Sequence, residues 1–198
     1  MWRSASCSKG LGRAVLLVGI ALAAIAGPGR AAELLGVGEA LTRAFPAPAV
    51  TSRQTLYLDE RQAEEIARAA GSELPTRVIT CYEARSGADA GALVIGWACL
   101  DTHVVRTLPE TLMVVVDTDL EIRHVDVLAF KEPRDYLLPR RWLDQLRGQR
   151  LDEELALKRG LHVMSGATIS ARSATRAARR VLALVEQLLA PPGKGPRP

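Results

Sequence analysis

The sequence predicts an α+β domain: an antiparallel β-sheet with helices packed on it and a long C-terminal helix. Three observations carry that expectation. Between residues 77 and 130, short β-branched or alternating apolar stretches occur in pairs, each pair joined by turn-forming residues. One helical repeat precedes them and a longer one follows, from about residue 170 to 189. Hydrophobic residues make up 48% of the chain but aromatics only 4%, so a sizeable core is available and must rest on Val, Leu, Ile and Ala. At 198 residues the chain suits one domain with appendages.

The chain starts with Arg3, Lys9 and Arg13 ahead of an apolar stretch at 14–26. Ala24-Ile25-Ala26 then forms a small-x-small site, and Gly29-Arg30-Ala31 offers a second. This is the pattern of an export signal over residues 1–31, cleaved after about residue 26 or 31. The apolar stretch is short of the ~20 residues that span a bilayer as a helix. An uncleaved anchor is the alternative. The protein is therefore expected in the periplasm or at the outer face of the cytoplasmic membrane.

That segment also explains the formal charge of +4. Residues 1–26 hold three of the 26 bases and none of the 22 acids, so the rest stands at +1. A protein that binds a polyanion should keep a basic stripe in its folded part. The run "RAARR" at 176–180 reads instead as a solvated helix face, and no nucleic-acid partner is expected.

Residues 32–55 are rich in Gly, Pro and Ala and read as a linker, with Phe45 the one residue suited to docking. The domain is expected over 56–190 and a frayed tail over 191–198. Asp59 with Gln62 three residues on suggests a capping box, followed by Ala63, Ile66, Ala67 and Ala70 on one helix face and Gly71 at the stop. Strands are expected at 77–84 and 92–100 around "RSGADAG", and at 111–116 and 122–130 around "DTDLE". Gly96 inside a strand suggests a bulge or a close backbone approach. The alternation of His124 and Asp126 with Val125 and Val127 suggests that one face of the last strand is wet. Pro133 and Pro139 break the next segment, and "RRWLDQL" at 140–146 reads as a short helix packing Trp142, Leu143 and Leu146.

Two cysteines, Cys81 and Cys99, lie on the two arms of the first hairpin, and export would favour a disulfide between them. The bond requires the register to bring them opposite, with Cα atoms within about 7 Å. Neither cysteine has CxxC spacing and the histidines at 103, 124 and 162 are scattered, so no metal site is expected. His103 in "DTHVVR" is expected at the surface or near a ligand, and Trp97 and Tyr82 in the core.

The long C-terminal helix is preceded by "HVMSGATIS" at 162–170. Hydroxyls at this place can cap a helix. First-turn N–H groups also attract phosphate, and small residues such as Gly166 and Ala167 let a bulky group approach the backbone. "SGAT" at 165–168 before a long helix, with a strand pair and "LAFKEP" at 128–133 upstream, resembles the extracytoplasmic FMN-binding domain family. That family includes flavin-carrying subunits of sodium-pumping quinone reductases and of Rnf-type electron-transport complexes. The similarity covers roughly residues 77–189.

The resemblance implies an exported electron carrier whose FMN is esterified through its phosphate to Thr168 by a flavin transferase. It implies a membrane or periplasmic redox partner, and contacts to the cofactor from Ser165, Gly166, Ala167, Met164 and Glu132. His162 stands where the family usually has an acid, and Leu120 where its strand turn often has Gly. Two other functions fit the same residues: an exported scaffold domain in which "SGAT" only caps a helix, and an enzyme holding FMN without a covalent bond. No nucleophile–base pair or carboxylate dyad marks the chain as a stand-alone enzyme.

Overall fold

The computed structural model describes residues 32–164 and 166–191. The expected signal segment and tail lie outside that range, apart from Pro191. Six antiparallel strands form one sheet in the order β1-β6-β5-β4-β3-β2. They are β1 (Ala32–Glu33), β2 (Val50–Tyr57), β3 (Val78–Arg85), β4 (Val94–Val104), β5 (Pro109–Asp117) and β6 (Ile122–Phe130). The helices are α1 (Val37–Ala44), α2 (Glu60–Ala70), α3 (Arg140–Leu143) and α4 (Thr168–Leu184), and a π-helical turn over Val185–Leu189 extends the last. The fold is α+β, as the sequence predicts.

The central meander forms where turn chemistry and alternating apolar residues coincide. Asp117 Oδ1 accepts the N–H groups of Asp119 and Glu121 in the β5–β6 turn. Leu120 takes φ +62 there, a conformation that costs a branched residue, and its buried side chain anchors it. In β4, a Cβ on Gly96 would stand 2.6 Å from the Val116 carbonyl oxygen, so only glycine fits. The β3–β4 register also slips beside it, between Ala84 and Arg85. Cys81 and Cys99 face each other in that register with Cα atoms 4.1 Å apart, and they form a disulfide.

The main core lies between one sheet face and α2, α3 and α4. Trp97, Cys99, Leu112, Val114 and Val116 of the sheet meet Ile66 and Ala70 of α2 and Ala174, Ala178, Val181 and Leu182 of α4. The capping box of α2 forms between Asp59 and Gln62, and Gly71 ends the helix at φ +67. Trp142, Leu143 and Leu146 are buried in the same core.

The opposite face shows what the linker reading overlooked. Residues 32–55 are folded: they form β1, α1 and most of β2. Ala40, Leu41 and Phe45 are buried against Ala84, Ala98, Met113, Val115 and Leu128. Proline and alanine in "FPAPAV" resemble a linker in composition, but Phe45 and the α1 face bury enough apolar surface to order the segment. The two strands added by this segment take the two edges of the sheet.

The expected wet face of β6 is also corrected. Asp126 is buried because it gathers three donors from three elements. Arg43 at the end of α1 ion-pairs with it, Arg140 of α3 donates at 3.0 Å, and His124 stands at 2.5 Å. Burial alone would raise the Asp126 carboxyl, but its bonds to His124 and Arg43 outweigh that and hold it below the usual carboxylate range. Arg140 Nη2 also donates to His124 Nδ1 at 3.1 Å, so His124 must offer its Nε2–H to Asp126.

Candidate functional site

The segment leading to the "SGAT" motif is held by side chains of the α3 region. Trp142 Nε1 donates to the His162 carbonyl at 2.8 Å. Gln145 Oε1 accepts both the His162 backbone N–H at 2.8 Å and its ring Nδ1–H at 2.9 Å. Leu161 anchors the same stretch in the core. Gly166 then turns the chain at φ +84, where a side chain would be strained, and Ala167 is buried as the first flanking residue of α4. Met164 packs against the core edge. Ser165 lies outside the described residues.

Thr168 is the first residue of α4 and half-buried. Its Oγ1 donates to the Met164 carbonyl at 3.1 Å. It therefore does not cap the helix: the N-cap position belongs to Ala167, and no described side chain accepts the first-turn N–H groups there. Ser170, two residues on in the same first turn, donates to the Tyr136 carbonyl at 2.6 Å and fixes the helix start against the connection after β6.

Thr168 opens onto a groove of about 420 Å³ between α4 and the loop at 151–163. One wall is apolar, from Leu155, Ala156, Leu157 and Val163. The other carries Thr168, Arg172, Thr175, Arg176 and Arg179, spaced so that all face one side of α4, with Lys158 across from them. Arg179 is a structural staple: it donates to the carbonyls of Ala70, Asp152 and Leu155 at 2.8, 2.6 and 3.2 Å. Lys158, Arg172 and Arg176 are exposed and their side chains make no hydrogen bond or ion pair with any described residue. Three free cations beside a hydroxyl at a helix start form an anion-attracting surface. Lys158 and Arg172 were not singled out from sequence, and Arg176 was read only as part of the solvated run at 176–180. The signal was there, since Arg172 and Arg176 follow Thr168 by four and eight positions.

The loop wall depends on one close approach. A Cβ on Gly160 would stand 2.6 Å from the Glu154 carbonyl oxygen, which accepts the N–H groups of Ala156 and Gly160 at 2.6 and 3.0 Å. Asp152 Oδ1 accepts the N–H groups of Glu154 and Leu155 and completes the loop.

Glu132, a cofactor contact in the resemblance, is bonded within the fold. Its Oε1 accepts the backbone N–H groups of Arg106, Thr107 and Leu108 at 3.1, 2.7 and 2.8 Å and so ties the β4–β5 turn to the end of β6. The bonds to Thr107 and Leu108 pull its carboxyl below the usual range. It does not line the groove that Thr168 opens onto.

A second polar cluster lies in the core beneath α4. His103 is buried, not at the surface as expected, and each ring nitrogen faces a carboxylate: Nδ1 meets Asp101 at 2.8 Å and Nε2 meets Glu110 at 3.1 Å. The second contact is an ion-pair approach without good hydrogen-bond geometry. Arg180 of α4 reaches down to Asp101 with Nε at 2.8 Å and Nη2 at 2.7 Å. This overturns the solvated reading of "RAARR" for Arg180, which is only 5% exposed. Burial disfavours the charged imidazole, but the bond to Asp101 and the nearby Glu110 carboxylate outweigh it and raise His103 above its ordinary value. Asp101 is likewise lowered: burial opposes its charge, and the His103 and Arg180 bonds prevail.

Among the described residues no group of His, Cys, Asp and Glu is arranged to hold a metal ion, and no helix is long and apolar enough to cross a membrane. Set beside known protein families, curated proteins and solved structures, the chain matches none of them.

Proposed function

We propose that this protein is an exported electron carrier that holds FMN in the groove beside Thr168, joined to the threonine through the flavin phosphate. The observation that carries the reading is the position of Thr168. It is a hydroxyl at the mouth of a groove with free cations on one side and an apolar wall on the other. The residues fit the group. Arg172 and the first-turn N–H groups of α4 suit a phosphodiester, and Leu155, Leu157 and Val163 suit an aromatic ring. FMN would supply the electron chemistry, and the protein supplies binding, orientation and charge.

Esterification has one local consequence. The Thr168 oxygen would lose its proton and with it the bond to the Met164 carbonyl. That bond lies at the end of the turn set by Gly166, so the hydroxyl can be released without disturbing the helix. A covalent tether also suits an exported protein, because a dissociating cofactor would be lost outside the cell. The partners in this reading are a flavin transferase and a membrane or periplasmic redox protein. The protein acts in the periplasm or on the outer face of the cytoplasmic membrane.

Intact-mass measurement on protein co-produced with a flavin transferase and exported tests the reading. FMN minus one water should be added to the wild type and absent from Thr168→Ala. Flavin that stays on Thr168→Ala would move the attachment elsewhere. An unmodified wild type beside a modified control protein would refute the covalent reading. Flavin that is present in native protein and lost on denaturation would mark a non-covalent flavoprotein.

A further inference from the structure

We propose that Arg176 is a potential-setting residue: it faces the oxygen-bearing edge of the flavin ring and favours the reduced, anionic form of the cofactor. The proposal rests on the reading of Thr168 as the attachment site and adds a division of labour along α4.

The argument is one of charge and reach. A phosphodiester carries one negative charge, yet three cations without described partners line the groove: Lys158, Arg172 and Arg176. One helical turn past Thr168, at about 6 Å along the axis, Arg172 is placed for the phosphate. Arg176 stands two turns past it, at about 12 Å. A flavin mononucleotide places its ring beyond the ribityl chain, so a ligand tethered at Thr168 and laid along the groove brings its ring level with Arg176, not Arg172. The apolar wall opposite, from Leu155, Leu157 and Val163, orients such a ring by taking its hydrocarbon edge. The edge that bears carbonyl oxygens would then face the cations Lys158, Arg172 and Arg176.

That orientation matters because the two redox forms differ in charge at this edge. The oxidised ring is neutral. Uptake of two electrons and one proton leaves it with one negative charge, shared between N1 and the C2 oxygen. A guanidinium beside it binds the reduced form more tightly than the oxidised one. Arg176 has no described carboxylate to neutralise it, so its charge is available. Arg179 is pinned by Nε and Nη1 to three carbonyls, so it is held against the loop while Arg176 remains free to reach the ring.

The test is spectroelectrochemical titration of flavinylated wild type, Arg176→Gln, Arg176→Lys and Arg172→Gln, with dithionite as the electron donor and intact mass read on each. Arg176 is exposed, so the substitutions leave the core untouched. Arg176→Gln is expected to keep its covalent flavin and to favour the reduced form about tenfold less, which lowers the two-electron midpoint by about 30 mV. The pH at which the reduced ring takes its second proton should rise in the same variant. Arg176→Lys should restore most of both values, because the charge returns. Arg172→Gln should reduce the extent of flavin attachment and shift the midpoint less. A fully flavinylated Arg176→Gln with an unchanged midpoint and an unchanged protonation pH overturns the proposal and leaves the Thr168 reading intact. A wild type without flavin overturns both.

Discussion

Arg180→Met should be among the costliest single changes in this protein, and the reason lies in what it leaves behind. Arg180 and Asp101 are each about 6% exposed, and the guanidinium makes two charge-assisted bonds to the carboxylate. Removing the arginine leaves Asp101 and Glu110 buried with His103 as their one remaining cation. Breaking a buried pair on one side costs about 3–5 kcal/mol. A domain of this size has about 5–15 kcal/mol in total, so the variant should fold but sit close to its limit. Asp101→Leu combined with Arg180→Met removes both charges and leaves His103 opposite Glu110, a neutral pair. The double variant should therefore lose much less than the sum of its parents, with a coupling of at least about 2 kcal/mol. Urea unfolding of the oxidised domain near pH 6, analysed at a common slope, measures all four proteins. Additive losses would show that Arg180 and Asp101 do not stabilise each other, and the core ion-pair account would fail.

The remaining predictions draw on other contacts. Because His103 is raised, its contribution is complete below pH 6.5 and is lost as pH rises through the folded value; His103→Gln should flatten the alkaline fall in a series of unfolding curves. Glu132 is lowered, so its contribution holds above the usual glutamate range and is lost as pH falls through its folded value. Glu132→Ala should free the amides of Arg106, Thr107 and Leu108 and speed their hydrogen exchange, with no loss of flavin attachment. Gly160→Ala must push back the Glu154 carbonyl and should cost about 1–3 kcal/mol, with a lower yield of flavin attachment seen by intact mass. Replacing Cys81 and Cys99 together by Ala opens a cross-link between residues 18 apart and should cost about 3 kcal/mol by thermal or urea unfolding.

Elements governed by local rules were legible in the sequence. The α2 start needs only Asp59 and Gln62, and the meander needs only alternating residues and its turns. The Cys81–Cys99 pairing was legible as a condition on register, and the structure meets it. What escaped depends on partners far along the chain. Asp101 and Arg180 are 79 residues apart, and Arg43 lies 83 residues from Asp126. No window around Asp101 or Asp126 shows that a distant arginine neutralises it, so both strands looked wetter than they are. Residues 32–55 misled for the same reason, since the surface that orders Phe45 is supplied by β3 to β6. At the candidate site Thr168 came from the motif, but the apolar wall came from a loop with no regular periodicity, Leu155 to Val163.

The arrangement of the first folded segment has a consequence for how the sheet comes apart. β1 pairs with β6 on one edge and β2 with β3 on the other, and the short helix α1 lies between them on the back of the sheet. One stretch of some twenty-five residues thus closes both borders at once. If α1 detaches, the outer rows of amides on β6 and on β3 lose their cover together, although two strands, β5 and β4, lie between them. Exchange at these two distant rows should then rise in step, with one shared opening rate, and a chain trimmed to start at residue 56 should expose the Met113–Val115 face to solvent along with both borders.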